Sequence, residues 1–136
     1  MIRSVRETFW RSELRWWPLW ITGSLIGLAL TAWFSLRPGG LLVPHWMSDK
    51  LQHAIGYLVL TLWFCGLVPR SRQWRTVLAC VALGVLMEGL QGALTANRVA
   101  DPLDALANAT GAVIALVVAR SGLASWAVWV EGWGKR

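Results

Sequence analysis

Charged residues are scarce: seven acids and thirteen Lys or Arg make up 15% of the 136 residues, while 56% are hydrophobic. A soluble domain carries about a quarter charged residues, so this balance excludes one and reads as a polytopic membrane protein of a single domain-sized unit. Cysteine is nearly absent. Cys65 and Cys80 lie inside apolar runs without metal-ligand spacing, which excludes a disulfide framework and a cysteine zinc site and leaves two small packing residues. There is no nucleophilic Ser or Cys motif, phosphate loop or HExxH, and no internal repeat or low-complexity segment. The net charge of +6 raises nucleic acid as a partner. The basic residues, however, cluster at the ends of apolar runs and form no stripe with interleaved aromatics, so membrane orientation explains them and no nucleic acid is expected.

Tryptophan is the abundant aromatic, with eleven residues against one Tyr and three Phe, and Trp favours the headgroup level, where its ring is buried and its N–H stays wet. Residues 1–17 carry Arg3, Arg6, Arg11 and Arg15 among Val5, Phe9, Trp10, Leu14 and Trp16, a basic stretch expected to lie as an amphipathic helix on an anionic membrane face. Apolar runs at about 18–36, 48–68, 75–94 and 102–119 are each expected to cross a bilayer as a helix. The first has a signal peptide as its alternative reading. It exceeds a normal signal core and no clear cleavage pattern follows, so a retained helix is expected. Pro38, Gly39, Gly40 and Pro44 punctuate the loop between the first two runs. In residues 120–136, Trp126, Trp129 and Trp133 recur at helical spacing, and an interfacial tail ending in Lys135 and Arg136 is expected.

Four spans place both termini on one side. The terminal segments and the 69–75 loop hold ten Arg or Lys, and the opposite side has only Arg37, Lys50 and Arg98, so the positive-inside rule puts both termini in the cytoplasm. The fold expected is all-α, a four-transmembrane-helix bundle with amphipathic N- and C-terminal segments.

Polar residues inside such spans are costly and normally face a bundle interior or a wet cavity. Arg98, Asp101, Asp104, Asn108 and Gly111 are spaced by three or four, which puts most of them on one helix face. Capping alone accounts for the acids, with Asp101 as N-cap before Pro102 and Asp104 in the first turn. It does not account for Asn108, nor for the Ala107, Gly111, Ala115 line that lets another helix approach closely. The second run opens with Asp49, His53 and Tyr57 four apart on one face, with Lys50 beside them. The bland readings are dipole compensation for Asp49, snorkelling for Lys50 and an ordinary aromatic for Tyr57. His53 lies one turn deep beside a carboxylate that can orient its ring. The third run has the stripe Gly84, Glu88, Gln91, Gly92 and Thr95, in which a packing role for Glu88 is set against a role in a shared cavity. By topology, all three stripes arrive at one depth on the extracytoplasmic side.

The residues Asp49, Lys50, His53 and Tyr57, then Glu88 and Gln91, then the run from Arg98 through Asp101, Asp104 and Asn108 to Gly111, resemble the VanZ-like family. The likeness covers spans two to four and leaves out the N-terminal span and the Trp-rich tail; where the family has a further small glycine, this chain has Ala115. The resemblance implies a multi-pass protein of the bacterial cytoplasmic (inner) membrane, linked to the cell envelope and teicoplanin resistance, and it supplies no agreed reaction.

Three readings of the cluster stand at this point. In the first, an enzyme acts at the outer leaflet on an envelope or lipid-linked substrate, with His53, Glu88 and Asp104 in acid-base roles, Arg98 with Lys50 clamping a phosphate or carboxylate, and Asp49, Tyr57, Gln91, Asp101 and Asn108 lining the site. A metal-assisted variant uses His53, Glu88 and Asp104, since imidazole and carboxylates suit a divalent ion; spacing alone establishes no metal, and the cofactor is unknown. The second reading is a non-catalytic binder or small transporter that holds a peptidoglycan-related ligand in the same cavity. In the third, the cluster fixes helix register. Membrane lipids are the partners common to all three.

Overall fold

A computed structural model describes residues 10–37, 47–96 and 99–134. All regular structure among these residues is helical, as the sequence leads one to expect. Helix α1 spans Trp17–Leu36, α2 Asp49–Leu67, α3 Gln73–Leu94, α4 Pro102–Arg120 and α5 Trp126–Trp133; short 3-10 turns at Arg70–Arg72 and Leu123–Ser125 lead into α3 and α5. Gly122, at φ 112, supplies the left-handed residue that turns the chain out of α4.

The helix starts follow from local chemistry. Ser48 caps α2 by accepting the Leu51 N–H at 3.2 Å, and Asp101 caps α4 by accepting the Leu103 N–H at 2.8 Å, with Pro102 at the first helical position. Helix α1 has no side-chain cap of its own. Its start is closed from the other end of the chain: the Glu131 carboxylate, on α5, accepts the Arg15 and Trp16 backbone N–H groups at 2.8 Å. The Trp20 indole N–H also donates to it, at 2.7 Å. A carboxylate at a helix N-terminus satisfies orphan donors and compensates the dipole. Glu131 is 3% exposed, so its removal strands several buried donors at once. Glu131→Ala is expected to cost about 3 kcal/mol, read as a lowered melting midpoint in detergent; an unchanged midpoint would show that α5 is held by packing alone.

The C-terminal segment therefore is not only an interfacial tail. Trp126 packs with Trp20 and Trp63 at ring-centroid distances of 5.6 and 4.9 Å and sends its N–H to the Leu62 carbonyl, whereas Trp129 and Trp133 are exposed. Residues 10–16 form turns and no helix, so the expected amphipathic helix is missing from the described part of the N-terminal segment. Arg11 N–H and Leu67 carbonyl are bonded at 3.0 Å, which ties that segment down by its backbone. Residues 1–9, with Arg3 and Arg6, and Lys135 and Arg136 lie outside the described residues.

Among the described residues, three helices are long and apolar enough to cross a membrane: Trp17–Leu36, Arg70–Leu94 and Pro102–Arg120. Their outward residues match that composition. Leu25, Trp33, Leu78, Val85, Leu106 and Val117, on α1, α3 and α4, are all exposed. Helix α2 is as long, but its first turns hold Asp49, Lys50, Gln52 and His53, and that polar start makes it the element that carries the site.

Helix α2 packs most intimately on α4. A Cβ at Gly111 would collide with the Ala54 carbonyl and lie 3.0 Å from the Leu58 nitrogen, so the two backbones touch. Ala112 and Ala115 continue the seam, fully buried. Helix α3 closes the third side, where Gly84 seats Asn108 and Tyr57.

Candidate functional site

His53 sits one turn inside α2 with its side chain 10% exposed, and the tight α2–α4 seam holds Asp104 and Asn108 of α4 against it. His53 Nδ1 lies 3.1 Å from Asn108 Oδ1 and 3.7 Å from Glu88 Oε1 of α3. The other ring nitrogen, Nε2, lies 3.8 Å from Asp104 Oδ2 and 3.9 Å from Asp49 Oδ2, one turn earlier on α2. Oxygen atoms from three helices thus surround one imidazole. Asp104 and Glu88 are 6% exposed and Asn108 1%, whereas the Asp49 carboxylate at the edge of the cluster is 50% exposed.

The two ring nitrogens have different surroundings. In the tautomer that protonates Nδ1, the ring donates to the Asn108 amide oxygen. Nε2 faces two carboxylates, neither within hydrogen-bond distance.

Lys50 stands at the rim, with Nζ 2.8 Å from Asp101 Oδ2 and 2.9 Å from Asp104 Oδ1. One ammonium thus serves two carboxylates, and its side chain is 47% exposed. The Lys50 ammonium, helped by the Leu103 N–H, holds the Asp101 carboxyl below the usual carboxylate range. The sign follows: this contribution to stability is complete above the ordinary carboxyl pKa and is lost as pH falls through the lowered one. Arg98 lies outside the described residues.

Two expected site residues have other surroundings. Gln91 turns to α1, donating from Nε2 to the Ser35 carbonyl at 2.7 Å, and so ties α3 to α1 rather than lining the cluster. Tyr57 is a turn deeper than His53 and 3% exposed; it packs over Gly84, and its hydroxyl has no hydrogen-bond partner among the described residues. Glu88 joins the Nδ1 side, opposite Asp49 and Asp104, so the set His53, Glu88 and Asp104 does not converge on one ring nitrogen. Asp49 and Asp104 share the Nε2 side.

A cavity of about 370 Å³ lies at the opposite end of the bundle, lined in part by Arg11, Arg70, Gln73 and Gly122. None of the His53 cluster reaches it. Gln73 is buried there and donates to the Cys65 carbonyl at 3.4 Å, a contact that its place at a helix start does not announce. No family model, curated protein or solved structure matches this chain.

Proposed function

We propose that this chain is a VanZ-like integral membrane protein of the bacterial envelope, in which α1 to α4 are four spans, both termini are cytoplasmic, and the His53 cluster is the functional site at the outer leaflet. Its substrate on this reading is an envelope or lipid-linked molecule, and its phenotype is glycopeptide (teicoplanin) tolerance. The observation that carries the reading is His53 itself, nine-tenths buried and ringed by Asp49, Glu88, Asp104 and Asn108. A register device needs one satisfied polar pair and not four oxygens about a histidine. Such a centre supports acid-base or metal-assisted chemistry; the two routes differ in whether a proton or a metal ion stands at Nε2. The binder reading is favoured by a specific feature, the Asp49 carboxylate beside the ring, which is 50% exposed.

One experiment with two arms tests the proposal. Expression in a susceptible bacterium is expected to raise teicoplanin tolerance, and unchanged tolerance would remove the envelope role. In the same cells, a cysteine replacing exposed Ala96 is expected to react with an impermeant thiol reagent added outside, and one replacing exposed Ser71 is not. The native Cys65 and Cys80 are 0% and 4% exposed and contribute little background. The reverse labelling pattern would sink the topology and the outward-facing site with it.

A further inference from the structure

We infer that Asp49, His53 and Asp104 form a binding site for a zinc-type divalent metal ion, with Asn108 fixing the ring that ligates it. This inference rests on the reading of the His53 cluster as the functional site, and it names the inorganic partner of that site.

The first support is geometric. One atom from each of the three side chains lies within 4.8 Å of the other two, and Nε2 is 3.8 Å from Asp104 Oδ2 and 3.9 Å from Asp49 Oδ2. These separations are too long for hydrogen bonds. Metal bonds of about 2.0–2.2 Å place two ligands of a tetrahedral ion roughly 3.4 Å apart. Closing the set shortens the two ring–carboxylate separations by about half an ångström and draws the two carboxylates together from within 4.8 Å of each other.

The second support is independent of the carboxylates. His53 is nine-tenths buried and its Nε2 makes no hydrogen bond, while on the far side Nδ1 lies 3.1 Å from Oδ1 of Asn108, itself 1% exposed. A buried acceptor that takes the N–H of a ligand imidazole is the usual way a protein fixes the metal-binding tautomer. Lys50 acts on the second ligand in the same sense. It holds Asp104 by Oδ1, which leaves Oδ2 turned to Nε2.

The framework is also suited to holding an ion. Asp49 and His53 are one turn apart on α2, Asp104 is in the first turn of α4, and the Gly111 contact fixes these two helices backbone to backbone. Burial is graded, with Asp104 and His53 enclosed and Asp49 half-exposed, so the ion enters past Asp49 and keeps a coordination position on that side. A water, or a phosphate or carboxylate oxygen of a ligand, fills that position. An imidazole with two carboxylates suits zinc, manganese and cobalt better than the hard ions that prefer oxygen alone.

The test uses the full chain in detergent with an affinity tag free of histidine, stripped with chelator and then titrated with Zn²⁺ or Co²⁺. About one equivalent of zinc per chain is expected by elemental analysis, with visible absorption from bound Co²⁺ in a low-symmetry site and a raised melting midpoint on zinc addition. His53→Gln, Asp104→Asn and Asp49→Asn are each expected to weaken zinc binding at least tenfold. Glu88→Gln, on the other face of the ring, is expected to keep the stoichiometry. Asp49 is half-exposed and outside the core, so its variant stays folded even where the buried ones do not. Sub-stoichiometric zinc in the wild-type protein would overturn the inference, as would zinc binding indifferent to Asp49→Asn and His53→Gln. Loss of teicoplanin tolerance in His53→Gln without metal in the wild type would leave the envelope site and remove the metal. Stoichiometric zinc lost in Asp49→Asn, with no tolerance conferred by the wild-type chain, would keep the metal and remove the envelope role.

Discussion

His53→Gln is expected to abolish the tolerance conferred by the chain while leaving its membrane insertion intact and its melting midpoint nearly unchanged. Glutamine is close to histidine in reach, and its amide N–H can still donate to Asn108 Oδ1, so the 3.1 Å contact has a substitute. What glutamine lacks is a ring nitrogen that ordinarily exchanges a proton near neutral pH or ligates a metal. The substitution therefore removes chemistry and keeps most of the packing, and the expected fall in activity is at least a hundredfold. Glu88→Gln and Asp104→Asn are expected to lose activity as well, since each replaces a buried carboxylate beside the ring. Asp101→Asn is the contrasting case. Asparagine caps a helix about as well, and the Lys50 pair lost with it is 47% and 40% exposed, where ion pairs contribute little. Tolerance assays on the four variants beside melting curves in detergent check the set. Full tolerance in His53→Gln would defeat the functional reading of the ring; unfolding in all four would make the cluster a device for holding helices together.

Much of this site was legible before any coordinates. Spacing by three and four put Asp49 with His53 and Asp104 with Asn108, because a helix repeats its face at that interval, and the order of short connections brought those faces to one end. What spacing does not contain is azimuth between neighbours. Gln91 is three residues beyond Glu88, about 60° round the helix, and that offset is enough to turn it to Ser35 of α1. Which carboxylate meets which ring nitrogen is likewise a matter of helix rotation, and spacing does not state it. The fit of Lys50 to two acids depends on a flexible side chain choosing among near charges. Glu131 was hidden for a different reason: its partners are backbone N–H groups of residues 15 and 16, freed because a helix starts there, and backbone donors leave no mark in side-chain patterns. The all-helical fold was legible from composition and hydropathy. Helix α2, whose polar opening sets it apart from the three apolar helices, shows why the number of crossings rests on topology and labelling.

Gly111→Val is expected to be the most damaging single substitution in the helix seams, through packing alone. Even the first added carbon would collide with the Ala54 carbonyl and crowd the Leu58 nitrogen. Both are backbone atoms of α2, so no rotamer change relieves the contact. The helices must separate, which opens the seam along Ala112 and Ala115 and draws Asp104 and Asn108 away from His53. Against this stands a helix-propensity gain of under about 1 kcal/mol on leaving glycine. Overpacking in a core with side chains to move costs about 1–3 kcal/mol; here the backbone must move, and a loss of at least about 3 kcal/mol is expected, with the site dismantled as well. Gly56 is the internal control. It lies on α2 with nothing within 4 Å of an added Cβ, so Gly56→Ala is expected to leave the melting midpoint level or slightly raised. Melting in detergent and zinc stoichiometry for the two variants decide the point: equal midpoints for Gly111→Val and Gly56→Ala would mean that α2 and α4 do not meet backbone to backbone, and the geometry of the His53 cluster would fall with that contact.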